Sequence, residues 1–194
     1  MLIDSYQHKY LYAGDIFVTK RPTIVSTVLG SCVSICLWDK YSGVAGINHY
    51  VGSIKNAKNS ASFKYAEPSS KHLLKRMLVL GAKRESIRAM VFGGGKVIDL
   101  IYDIGQDNIA HAKDFLLAEG IKVMNWDVGG DHGRNLQFNT HTSETHVSNI
   151  ASVTHRFNEM FKPTARTKKN LGMSLKVIKP EDFPIIKPVK PILP

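Results

Sequence analysis

Two cysteines, Cys32 and Cys36, are all that this chain of 194 residues contains. A pair so close in sequence cannot supply the crosslinked framework of a small secreted domain. No run of eighteen apolar residues occurs, so no segment has the length a helix needs to span a bilayer. The opening Met1-Leu2-Ile3-Asp4-Ser5-Tyr6 lacks a basic stretch followed by an apolar one. No secretory signal is read there, and a reducing cytoplasm is the expected compartment. Acidic residues are the scarcer charge, 16 Asp and Glu against 26 Lys and Arg, for a net +10. The excess is uneven: from 162 to 194 eight basic residues face two acids, a balance of +6 that leaves +4 for the rest. The body of the chain therefore makes little electrostatic case for binding nucleic acid.

What is present suits one domain large enough to bury a core unaided by disulfides or metal. Apolar residues make up 43% and charged residues 22%, the balance of an ordinary globular chain. Segments 14–20 and 23–29 are rich in β-branched residues and predict strands. Residues 33–38 alternate apolar with small side chains. Asp39-Lys40-Tyr41-Ser42-Gly43 then supplies turn chemistry, and 44–50 returns antiparallel. Residues 51–63 are small and polar and predict a mobile loop. Leu73, Leu74, Met77, Leu78 and Leu80 follow helical spacing over 69–80, stopped by Gly81. A strand over 86–92 leads into a glycine run at 93–95, and 106–119 reads as a second helix ending at Gly120. Further strands are expected over 121–128, 135–138 and 145–147. Strands interrupted by two amphipathic helices predict an α+β layered sandwich. Residues 1–161 form the expected folded domain. The segment 162–194, with five prolines from Pro180 onward interleaved with lysines, predicts a flexible or polyproline-like basic tail.

The strongest chemical signal is Leu29-Gly30-Ser31-Cys32, followed seventeen residues later by Asn48-His49. A thiol attacks carbonyls only as thiolate, and a neighbouring imidazole is the usual means of generating one near neutral pH. One hairpin formed by 33–38 and 44–50 would place Cys32 and His49 near the same end. A free backbone N–H at Cys32 or Ser31 is expected to receive a developing oxyanion.

The words around this pair resemble the CheD family of chemoreceptor glutamine deamidases. The resemblance is carried by Thr27-Val28-Leu29-Gly30-Ser31-Cys32-Val33-Ser34-Ile35-Cys36-Leu37 and Gly46-Ile47-Asn48-His49. It continues through Lys64-Tyr65-Ala66, Phe92-Gly93-Gly94-Gly95, Ile104-Gly105-Gln106-Asp107-Asn108, Gly129-Gly130-Asp131-His132-Gly133-Arg134 and Phe138-Asn139-Thr140. It implies a fold of mixed β-sheets with flanking helices, similar to the deamidating domain of cytotoxic necrotizing factor toxins. It implies Cys32 as nucleophile and His49 as base. The family is also known for a threonine hydroxyl that orients the histidine, six residues before the cysteine. Ser26 stands there in this chain, with Thr27 beside it. Either hydroxyl can accept a hydrogen bond from the ring, but adjacent strand positions face opposite ways. The position count selects Ser26. The implied reaction converts receptor glutamines to glutamate and needs neither cofactor nor metal. The implied partners are methyl-accepting chemotaxis receptors and a CheC-type phosphatase, and some members also hydrolyse glutamate methyl esters.

Several neighbouring features have plainer readings. Cys36 would lie about 13 Å along the strand from Cys32 at a rise of about 3.3 Å per residue. That is too far for a disulfide or a shared metal, and Cys36 is expected in the core. His8, His72, His111 and His155 are expected at the surface, whereas His132, His141 and His146 sit near blocks that would shape a cleft. Gly93-Gly94-Gly95-Lys96 lacks the pattern of a phosphate-binding loop, since Val97 follows the lysine. Gly129-Gly130-x-x-Gly133-Arg134 likewise does not match a dinucleotide fingerprint. Both are expected to be close-approach turns, with Arg134 either structural or paired with an acidic substrate. Two rival functions remain: a non-catalytic adaptor docking on receptors or the phosphatase, and a thiol protease or transglutaminase-like enzyme sharing the Cys–His chemistry.

Overall fold

In a computed structural model, residues 6–53, 62–97 and 103–150 are described. They all belong to one compact unit, Met1–Met160. The expected tail over 162–194 and most of the expected loop over 51–63 lie outside the described residues.

The elements run β1 (Gln7–Tyr10), β2 (Ile16–Thr19), β3 (Thr23–Leu29), β4 (Val33–Asp39), β5 (Val44–Asn48), α1 (Ala66–Val79), a 3₁₀ turn (Arg84–Ser86), β6 (Arg88–Gly93), α2 (Ile104–Ala118), β7 (Lys122–Val128), β8 (Gly133–Asn139) and β9 (Thr145–Ile150). They form two mixed sheets, ordered β1-β3-β8-β9 and β2-β5-β4-β6-β7. Each contains one parallel pair, β1 with β3 and β6 with β7. The architecture is the layered α+β sandwich expected from the element pattern.

Strand β4 shows how the layers stack. Val33, Ile35 and Leu37 face Leu73, Leu74 and Met77 of α1 and Ala112, Phe115 and Leu116 of α2. Between them, Cys36 turns to the opposite side and packs with Val25, Leu29, Leu136 and Phe138 of the other sheet. The five-stranded sheet is thus the middle layer, with helices on one face and the four-stranded sheet on the other. A strand covered on both faces needs apolar residues at successive positions, and β4 has them from Ile35 to Trp38. Truncating Leu37, which is fully buried, to Ala would cost about 2–5 kcal/mol through lost contacts and the cavity left behind. Among the described residues no helix is long and apolar enough to cross a membrane.

Three features differ from the sequence expectation. Strand β1 has all four residues exposed and carries no buried periodicity, so nothing in its pattern announced it. It exists because its backbone pairs with β3. Helix α1 begins at Ala66, where the Ala66 N–H bonds to the Gly52 carbonyl at 2.9 Å and ties the helix to the end of the β4–β5 hairpin. His111, expected at the surface, is half-buried on α2, with its ring stacked on Phe115 and edge-on to Tyr50.

Candidate functional site

Cys32 sits immediately before β4, where the chain passes between the glycine run and the hairpin. The Gly94 N–H donates to the Cys32 carbonyl and the Gly95 N–H to the Gly30 carbonyl, each at 2.8 Å. Gly93 is required here. Its φ is +108°, and a Cβ on it would stand 2.1 Å from the Cys32 carbonyl oxygen. Lys96 N–H donates to the Gly130 carbonyl at 2.7 Å and Gly129 N–H to the Gly93 carbonyl at 2.9 Å, so the two glycine-rich turns are stitched together. The N–H groups of residues 94–96 are therefore consumed within the protein, in keeping with a close-approach turn and not with a phosphate cradle.

Arg134 is structural. It is buried, its Nε and Nη2 donate to Asp127 Oδ1 at 2.9 Å, and its Nη1 donates to the Gly129 carbonyl at 2.9 Å. These bonds join β8 in one sheet to β7 in the other and fix the turn beside the glycine run.

Strand register sets Cys32 and His49 on one face of the hairpin. The β4–β5 ladder pairs Cys36 with Ile47, and the same register reappears as a bridge between Val33 and Tyr50, with bonds of 3.1 and 3.0 Å. Regular pairing ends at this bridge, and continuing its register by one step sets Cys32 opposite Val51 and diagonal to His49. Cys32 and His49 share the face of Cys36 and Ile47, which looks toward the four-stranded sheet. The hairpin inferred from sequence forms, and it places thiol and imidazole on one side of it.

The imidazole is held in one tautomer. Thr27 Oγ1 lies 2.8 Å from the Leu11 carbonyl and 2.9 Å from His49 Nδ1. A carbonyl only accepts, so the single hydroxyl proton goes to Leu11, and the ring must donate Nδ1–H to the Thr27 oxygen. The lone pair then resides on Nε2. That atom is buried and has no hydrogen-bond partner among the described residues. Burial lowers the His49 pKa to about 4, against the opposing pull of the Leu11 carbonyl and the Asp15 charge. Burial likewise pushes the Cys32 thiol up to about 11, opposed by its own backbone N–H. Both groups are neutral at rest near pH 7. Cys36 is fully buried, and its thiol is pushed higher still by burial alone.

Ser26, which the position count selected, does not meet the ring. Strand β3 alternates, with Thr23, Val25, Thr27 and Leu29 buried and Ile24, Ser26 and Val28 only partly so. Thr27 therefore points with Val25 and Leu29 toward the space between the sheets. Ser26 lies on the outer face, in register with Tyr10 and Gln137. Its tie to the site runs through the main chain, where its carbonyl accepts the Leu11 N–H at 2.9 Å. The hydroxyl that meets the His49 ring is that of Thr27, not the expected Ser26. The Leu11 carbonyl, a main-chain group, left no trace in the sequence.

Of the remaining histidines expected near the cleft, His141 and His146 are exposed, and half-buried His132 pairs with Asp131 at 3.2 Å.

Comparison with known proteins adds an independent line. Residues 52–149 match the family model described as CheD chemotactic sensory transduction. A Sinorhizobium medicae protein named "Probable chemoreceptor glutamine deamidase CheD" is 38% identical over 133 residues, 66% of this chain and 73% of that one. A Thiobacillus denitrificans protein of the same name is 34% identical over 146 residues, 72% of each chain. Among solved structures, the Bacillus licheniformis hypothetical protein YfiH superposes over 58% of this chain and 50% of its own, with a TM-score of 0.38 and 14% identity.

Proposed function

The chain belongs to the CheD family, and we propose that it is a cytoplasmic protein-glutamine deamidase acting on chemoreceptors through Cys32 and His49. The family match begins at residue 52, beyond both side chains, so their roles rest on geometry. The observation that carries the reading is His49 itself: tautomer fixed through Thr27, Nε2 buried and unpartnered, on the sheet face shared with the Cys32 thiol.

In this mechanism the Cys32 sulfur attacks the carboxamide carbon of a receptor glutamine while its proton passes to His49 Nε2. A resting ion pair is disfavoured by burial of both groups, so proton transfer accompanies attack. The Ser31 N–H donates to no group among the described residues and the Cys32 N–H faces only its own thiol, which leaves both to serve the oxyanion once the sulfur has attacked. The C–N bond then breaks, the imidazolium returns its proton to the leaving nitrogen, and ammonia departs from a thioester. Water, deprotonated by the same Nε2, attacks the thioester carbonyl, releasing glutamate and the protonated thiol. No step calls for a cofactor. Glutamine becomes a negative charge, which can bias a receptor's signalling equilibrium.

The test is mass spectrometry of a chemoreceptor cytoplasmic domain incubated with the protein. A +1 Da shift at specific glutamines, absent with Cys32→Ala, is expected. No shift with the native protein, despite binding, would favour the adaptor instead.

A further inference from the structure

Beyond the Val33–Tyr50 bridge the two strands of the hairpin separate. The next main-chain pair in register, Ser31 with Gly52, does not form; the Gly52 carbonyl accepts from the Ala66 N–H at 2.9 Å instead. Into this opening comes one side chain from α2. Asn108 Nδ2 lies 2.8 Å from the Ser31 carbonyl and 2.9 Å from the Val51 carbonyl, one bond for each of its protons. Asn108 is fully buried, and its own carbonyl accepts the Tyr50 hydroxyl at 2.8 Å. Its Oδ1 is buried without a partner among the described residues, so the two donors are what its amide supplies. The helix reaches this depth because Gly105, one turn earlier, lets it lie on Gly94; a Cβ there would stand 2.4 Å from the Gly94 carbonyl oxygen.

The two bridged carbonyls belong to the residue before Cys32 and the second residue after His49. We propose that Asn108 is a positioning residue of the deamidase site, its amide setting the separation of the Cys32 thiol from the His49 imidazole. The proposal rests on the Cys32–His49 reading. Loss of the amide would leave two partly buried carbonyls facing each other with no donor between them, and the strand ends that carry thiol and base would move apart. A small displacement of reacting groups is enough to cost much of a proton-transfer advantage.

The test compares Asn108→Leu, close in size but without donors, with Tyr50→Phe, which removes the other tie between α2 and the hairpin and keeps the amide. Two readouts are taken on the full chain: alkylation of Cys32 by iodoacetamide as a function of pH, and kcat and KM on a receptor domain. Asn108→Leu is expected to alkylate with the pH profile of His49→Ala. Its kcat should fall at least tenfold with KM little changed. Tyr50→Phe should keep the native profile and kcat even where it unfolds at a lower temperature. If Asn108→Leu does not fold, Asn108→Ala, which only removes atoms, carries the same comparison. A native alkylation profile and kcat in the folded Asn108 variant would overturn the proposal, as would an equal loss in Tyr50→Phe. Cys32→Ala and His49→Ala, run alongside, separate the outcomes. If they retain deamidation the dyad itself is wrong, whereas if they are inactive beside a native-like Asn108 variant, only the positioning role fails.

Discussion

Thr27 Oγ1 stands 2.9 Å from His49 Nδ1 while handing its own proton to the Leu11 carbonyl, 2.8 Å away. This relay, carbonyl to hydroxyl to imidazole, crosses from one sheet to the end of the other and decides which ring nitrogen is basic. Without it the ring is free to take the other tautomer or to rotate.

Thr27→Val keeps the shape of the side chain and removes the acceptor, so the ring loses its anchor. Deamidation is expected to fall about tenfold to a hundredfold, part of the roughly 10²–10⁴ that general acid–base catalysis contributes. Ser26→Ala, on the outer face, should stay within about twofold of native. Turnover of receptor glutamines by mass spectrometry checks both, and the opposite ranking would return the orienting role to Ser26.

The choice between these neighbours shows where the sequence becomes ambiguous. Strand β3 carries apolar residues on both faces, Val25 and Leu29 inward and Ile24 and Val28 outward, so period-two alternation alone cannot say which set faces the core. The β4–β5 hairpin was legible because Asp39 to Gly43 is a strong turn between two strands rich in apolar residues. Both helices were legible from their spacing. Strand β1 was not, because an edge strand exposed along its length has no hydrophobic pattern to read. Asn108 lay inside a recognised block, yet its role depends on contacts with residues 77 and 57 positions away, which no local pattern encodes.

The two cysteines should behave as opposites. Cys32→Ala is expected to abolish deamidation with little change in unfolding temperature, since Cys32 is only partly buried at a loop and no other nucleophile replaces it. Cys36→Ala removes a sulfur from the fully buried space between the sheets and should cost about 1 kcal/mol while activity survives. Paired thermal unfolding and turnover measurements decide. Activity in Cys32→Ala at the native rate would end the thiol mechanism.

Gly93→Ala probes the scaffold behind the nucleophile. The added Cβ would meet the Cys32 carbonyl at 2.1 Å, in a backbone conformation with φ of +108° that alanine adopts poorly. Either the 30–32 segment or the glycine run must shift. The expected result is a loss of about 2 kcal/mol or more of stability together with a fall in kcat. Full stability and full turnover in this variant would show that the close approach is dispensable.

Stability should fall in mild acid because of His49. An unfolded histidine titrates near 6.5, whereas burial holds the folded ring down at about 4, with the Leu11 carbonyl and Asp15 opposing. Above pH 6.5 both states are neutral and the group contributes no pH dependence. As pH falls from 6.5 the unfolded chain binds a proton that the folded site refuses, so the unfolded state gains. The loss stops near pH 4, where the folded ring protonates too, and by then amounts to about 3 kcal/mol. His72 and His111, also lowered by burial, lose stability in the same direction, so native protein alone does not isolate His49. His49→Gln does. Unfolding free energies measured by denaturant from pH 7 to pH 4 should fall less steeply in that variant, with the two curves differing in slope only between about 6.5 and 4. Parallel curves across that window would mean that the His49 ring is protonated as readily in the folded protein as in the unfolded chain.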